Sequence, residues 1–509
     1  MSLTRLKPWH IALSIVALIA ALVALWPLGI GRDYMNHLAR TYIQASLGSD
    51  VVLQQYYAVS FGFIPDLTMD LIVPWLSQVI GIYAAGAFTV WLALALPPLA
   101  GLVLAKSLHG RVTWVSLLGF LTMFNANIDL GFINYTVSSG LALLAFALWI
   151  RMSPGWRRTL VFFPIGLAIV INHAIAFLLL GFLAFAWETI SFAKGERGSL
   201  TAFARQCVCL DLPAMLGGLA FLAVSMQGAT DLPQDVVPLY HFGQKAGTLL
   251  AATQFGHVLV ALAASFSVIA FFWVGVRQKW FVFADKAGWL CAVFLGLVIV
   301  MPTAIFGIWG LHLRFTAPLL IVAAASIVPT AAMTARTRSA MVAGFSLVFA
   351  ASVGNGAIHM AENDQQAAAF KPILADLPEG SKVLSVFADP EIDSAFTAHA
   401  VTLAVIERAA FVPNLFTNTS PVDVAAGMVD LHMPQSLPLL IGELDYWAQR
   451  PPAASQNGYW SPEFASGWPE RWDYILLFKG DRVVDLSRHP VCAVSATPEV
   501  ILYKIEPCA

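Results

Sequence analysis

The sequence predicts a polytopic α-helical membrane protein of about eleven transmembrane helices, with a small α/β domain outside the membrane at its C-terminal end. Three observations lead there. Hydrophobic residues make up 59% of the 509 and charged residues only 11%, about half the charged share usual in soluble domains. Apolar runs of the roughly 20 residues that cross a bilayer as a helix recur along the chain to about residue 358. Beyond that point the composition is that of a soluble domain. The expected division is therefore 1–358 in the membrane, with a first outer loop at about 29–80, and 359–509 outside it.

The first apolar run, from about Trp9 to Leu28, has no small-x-small cleavage site and reads as an uncleaved anchor. Ten more runs centre near residues 95, 118, 142, 164, 181, 217, 262, 298, 322 and 347. The one near 118 is short, and the pair between Thr159 and Ile190 requires Asn172-His173 as its turn. Lysine and arginine concentrate in cytoplasmic loops, which tests the count. With the N-terminus inside, fifteen of the 28 Lys and Arg fall in cytoplasmic segments, four (Arg32, Arg40, Lys245, Arg314) on the other side, and nine after residue 359. The C-terminal domain is thereby expected outside.

In that domain "SKVLSVFAD" (381–389) and "RWDYILLFKG" (471–480) alternate like strands, and "VCAVSATPEVILYKIEPC" (491–508) reads as a terminal strand pair. Its two cysteines, Cys492 and Cys508, are candidates for a disulfide in an oxidising compartment. The net charge of -2 offers no basic face for nucleic acid, and no zinc-type cysteine cluster or phosphate-loop glycine signature occurs.

Polar residues near the membrane, apart from the cytoplasmic cations, gather on the outer side. Asp33, Asn36, His37, Arg40, Asp66 and Asp70 lie in the first outer loop, and Asn125, Asn127, Asp129, Asn134 and Tyr135 in the second. The Asn172-His173 turn follows, then Asp231, Asp235, His241 and Lys245, then His312 and Arg314. Charged groups at the edge of hydrocarbon are costly unless paired or lining water, so this collection points to a polar cavity that opens outward.

"GRDYMNHLAR" (31–40) is its densest part. A helix over 32–46 would place Asp33, His37 and Arg40 on one stripe. A carboxylate can take a proton from an attacking hydroxyl, and a guanidinium can hold phosphate oxygens through two parallel hydrogen bonds. The plainer alternative is that Asp33 neutralises Arg40 or His37 at a helix end, that His173 finishes a helix, and that Arg314 reaches for lipid head groups.

"RDYMNHLAR", "LGFINYTVSSGLALLAFALW", "NHAIAFLLLGFLAFAWE" and "HLRFTAPLLIVAAA" resemble a group of bacterial GT-C-like membrane proteins, and the architecture resembles the GT-C superfamily of polytopic glycosyltransferases. The resemblance implies an inverting transferase that takes a sugar from a polyprenyl-phosphate donor on the outer face. It also implies a catalytic carboxylate in the first outer loop, which here is Asp33. Tyr34 follows where protein mannosyltransferases carry a second carboxylate, and no WWDYG-type sequence occurs, so a lipid or glycan acceptor is expected. Arg40, Arg314 and Lys245 are the candidates for the donor phosphate, with His37, His173, Asn134 and His312 beside them. A divalent metal is not obligatory for such a step; if one is used, Asp33 with Asp129 or His173 would hold it. A non-catalytic scaffold that binds lipid-linked sugar, or a transporter, would use the same outer residues differently.

Overall fold

The computed structural model describes residues 7–228, 242–245, 247–305, 308–389, 399–417, 420–433, 439–451, 462–484 and 486–508. Asp231, Asp235 and His241 of the fourth outer loop lie outside the described residues. The chain forms two compact units, one of residues 1–25, 65–68 and 88–359, the other of residues 26–64, 69–87 and 360–509.

The first unit is helical. All eleven apolar runs are helical, and among the described residues six helices are long and apolar enough to span a membrane: Pro8–Leu25, Ile82–His109, Ala174–Ala193, Leu200–Met226, Val258–Arg277 and Ala335–Ala375. Ile133–Trp149, Ala287–Val300 and Leu311–Ser326 are shorter. The run near residue 118 is the shortest of them. It is a nine-residue 3-10 helix, Trp114–Thr122, which at about 2 Å per residue covers well under the roughly 30 Å of hydrocarbon. Its residues from Val115 to Thr122 are all buried, so protein and not lipid covers them. Hydropathy alone cannot tell those two apolar surroundings apart.

Small residues set the helix crossings. A Cβ on Gly140 would meet Leu96 at 2.8 Å and the Pro97 nitrogen at 3.0 Å, so the helices Ile133–Trp149 and Ile82–His109 touch through backbone. Buried charge is neutralised locally. Arg158 lies 3.9 Å above the Trp149 ring and donates to Glu188 and Asp211, and Glu188 also accepts from Trp149, Arg197 and Gln206. Two cations and two carboxylates in one network avoid the cost of an unpaired buried charge.

The second unit holds a five-stranded mixed sheet in the order Cys492–Ala496, Val500–Lys504, Tyr474–Phe478, Val383–Phe387, Leu439–Leu440. The first three strands are antiparallel to one another; Val383–Phe387 runs parallel to both strands beside it. The expected strands are therefore present. However, "VLSVF" and "YILLF" are buried at every position, so these central strands are covered on both faces and read as continuous apolar runs. Cys492 and Cys508 are disulfide-bonded, with Cα atoms 4.9 Å apart.

Composition places the first outer loop with the membrane helices, whereas in the structure residues 26–64 and 69–87 cluster with the C-terminal residues. Strand Tyr57–Val59 pairs antiparallel with Val422–Val424. The Leu28 amide donates to Asp364 at 2.9 Å, and a Cβ on Gly29 would lie 2.2 Å from the Met360 carbonyl oxygen. Only glycine allows that backbone approach.

Candidate active site

The stretch after the first span folds into the helix Tyr34–Ser46. It has no glycine or proline within it, and Asp33 occupies the N-cap, a position that favours aspartate. Its carboxylate makes no cap hydrogen bond. It is turned instead toward Nε2 of His399, at 3.3 Å, with 25% of the Asp33 side chain still exposed.

One amide decides how that imidazole is protonated. The Phe416 N–H donates to Oδ1 of Asn36 at 2.7 Å, so the Asn36 amide nitrogen faces the other way, donating to the Asn414 carbonyl at 2.7 Å and lying 3.1 Å from Nδ1 of His399. Nδ1 therefore accepts, which in the neutral ring places the hydrogen on Nε2, the nitrogen 3.3 Å from Oδ1 of Asp33.

The other two members of the stripe are buried. His37 meets the edge of Phe416, with ring centres 5.8 Å apart. Arg40 is 0% exposed, and its Nη2 donates to Asp70 at 2.5 Å; Gln44 donates to the second oxygen of Asp70. The stripe is thus real as helix geometry, but Asp33 and Arg40 face residues distant in sequence and not one another.

A second cluster lies in the first unit, around residues 65–68. Asp66 has φ +87, in the left-handed region. Its carbonyl accepts from Asn134 at 2.8 Å, the Leu67 amide donates to the Ile171 carbonyl, and Thr68 bonds Ser138 and Asn172. His173, at the N-cap of Ala174–Ala193, accepts from the Ile175 N–H on Nδ1 at 3.1 Å. Burial first, and the nearby Arg314 guanidinium second, hold this histidine well below the usual imidazole range. Its other nitrogen, Nε2, meets the Arg314 guanidinium, which has only donors to offer. Nη1 of Arg314 lies 3.1 Å from that nitrogen, the Asp66 carboxylate 3.8 Å from it, and the guanidinium is over the Phe132 ring at 4.1 Å. The guanidinium carries several N–H donors, which suit an anionic oxygen.

The remaining candidates are placed differently. Lys245 donates to the carbonyls of Ile299 and Met301, capping the helix Ala287–Val300 as a cation at a helix C-terminus does. His312 is buried and bonds the Thr303 backbone. Asp129 faces His359 at 3.4 Å, whereas His173 faces Arg314 and Asp66. Among the described residues no group of three or more His, Cys, Asp or Glu is arranged to hold a metal ion.

No protein-family model matches the sequence, and comparison with curated proteins finds no match. Solved structures do match. The crystal structure of ArnT from Cupriavidus metallidurans bound to undecaprenyl phosphate aligns with a TM-score of 0.54 over 97% of both chains at 9% identity. The apo ArnT structure gives 0.54 over 97% of this chain and 98% of that one, at 10% identity. The chain shares the fold of ArnT.

Asp33, Asn134, His173 and Arg314 are among the candidates read from the sequence, and His399 is not. Nothing in the local pattern of "FTAHAVTLAV" marks that histidine, because its role comes from Asn36 and Asp33, more than 360 residues away. Asp70 was visible as a charge in the first outer loop, and the signal for its pairing would have been the need to neutralise Arg40 inside a packed helix.

Proposed function

We propose that this GT-C-like protein is a membrane glycosyltransferase that moves a sugar from a polyprenyl-phosphate donor to a hydroxyl of a lipid or glycan acceptor, on the periplasmic face of the bacterial inner membrane. The observation that carries the reading is the Asp33 carboxylate. It stands just after the first span, uses none of its bonding capacity on the helix it begins, and keeps part of its surface open.

The donor class is supported by whole-length likeness to a protein crystallised with undecaprenyl phosphate. In the proposed step Asp33 takes the acceptor's hydroxyl proton as that oxygen forms a bond to the anomeric carbon. The bond from that carbon to the phosphate oxygen breaks with inversion, and the lipid phosphate leaves with the electron pair. Arg314 is separately a candidate for the donor phosphate, because a guanidinium offers several N–H donors to phosphate oxygens. The disulfide in the C-terminal domain agrees with an oxidising compartment, and the lysine and arginine distribution agrees with a cytoplasmic N-terminus.

The experiment is turnover of lipid-linked sugars extracted from membranes of the producing cells, followed as release of polyprenyl phosphate. Wild type should release it and Asp33→Asn should not. Equal release by both would refute the role of Asp33, and no release by wild type would refute the transferase.

A further inference from the structure

Sequence reasoning gave Asp33 no partner in the C-terminal residues, yet His399 approaches it at 3.3 Å with 16% of its own side chain exposed. Three hydrogen bonds fix the direction of that contact. The Phe416 N–H locks the Asn36 amide, the Asn36 amide nitrogen also serves the Asn414 carbonyl, and Nδ1 of His399 is left as an acceptor. The ring is held from the side as well, since its centre lies 5.1 Å from that of Phe416 in an edge contact. An imidazole so held turns Nε2 toward one oxygen of the Asp33 carboxylate.

We propose that His399 is a positioning residue for Asp33: its Nε2–H holds Oδ1 and leaves Oδ2 as the oxygen that takes the acceptor's proton. The inference rests on the reading of Asp33 as the general base. Its chemistry is that of an orienting hydrogen bond on a catalytic group, whose loss costs rate without weakening the binding of substrate. Asn36 is the residue behind it, and it acts by fixing the tautomer.

Two variants separate this role from simple packing. His399→Phe keeps the ring against Phe416 and removes the N–H, whereas His399→Gln gives up the ring and restores a donor near Nε2. With lipid-linked sugars from the producing cells as the probe, His399→Phe should lower kcat on the order of 10- to 100-fold with the donor KM unchanged, and His399→Gln should recover most of it. In parallel, 15N spectra of histidine-labelled full-length protein should show a neutral ring protonated on Nε2, a signal that His399→Gln removes. Full turnover by His399→Phe beside an inactive Asp33→Asn, or a ring protonated on Nδ1, would overturn the positioning role and leave the transferase standing. A wild type that releases no polyprenyl phosphate would overturn the transferase, and the positioning role with it.

Discussion

Arg40 and Asp70 meet at 2.5 Å with neither side chain exposed. Arg40 was the first candidate for a phosphate clamp, and the structure gives its guanidinium a carboxylate of the same unit, itself held by Gln44. Removing one partner of such a pair leaves an uncompensated buried charge, at a cost of about 3–5 kcal/mol. Arg40→Met and Asp70→Met should each lower the thermal midpoint of detergent-solubilised protein sharply, and the double variant should regain much of the loss. A stable Arg40→Met variant that fails to bind donor would instead restore Arg40 to the phosphate.

Arg314 is expected to behave otherwise. Its guanidinium is over the Phe132 ring and beside His173, and lysine keeps the charge while losing both the planar stack and the donor fork. Arg314→Lys should weaken retention of the lipid-linked donor by about tenfold, roughly 1.4 kcal/mol, with little change in the thermal midpoint. Unchanged donor retention would remove Arg314 from the phosphate site.

His432 makes stability of the C-terminal residues depend on pH. Its Nε2 lies 2.8 Å from the Leu415 carbonyl, and burial pushes its pKa from 6.5 down to about 4, against smaller opposing effects of that carbonyl and of Asp423. The unfolded chain regains the ordinary value, so between about 4 and 6.5 it binds a proton that the folded state does not. Stability from this group is complete above pH 6.5 and is lost as pH falls toward 4. The ceiling is about 3 kcal/mol, reduced by the part of the ring that water still reaches. His432→Gln should flatten the decline in thermal midpoint between pH 7 and pH 5; an unchanged slope would assign the decline to other groups.

The membrane helices were legible because lipid demands long apolar runs, and that signal is local. It failed where protein replaces lipid, at Trp114–Thr122, which is apolar because it is buried and too short to cross alone. The helix Tyr34–Ser46 and its stripe were legible from spacing. The partners were not, since no periodicity links Asp33 to His399 or Arg40 to Asp70. Asp66 shows a related limit: its left-handed backbone is set by bonds from Asn134 and to Ile171, and aspartate tolerates that region without advertising it. The central strands were found by their β-branched and aromatic residues, while their two-sided burial follows from the parallel pairing of Val383–Phe387 with Tyr474–Phe478.

The central claim is that Asp33 performs chemistry on a lipid-linked sugar that the protein binds without it. Native mass spectrometry of gently extracted wild type and Asp33→Asn tests this directly. The account predicts that the variant, folded like wild type, retains a polyprenyl-phosphate sugar whose mass identifies the donor, and that adding acceptor-containing lipid extract converts this species to polyprenyl phosphate in wild type alone. Intact protein carrying no polyprenyl species in either form, or equal conversion in both, would contradict it.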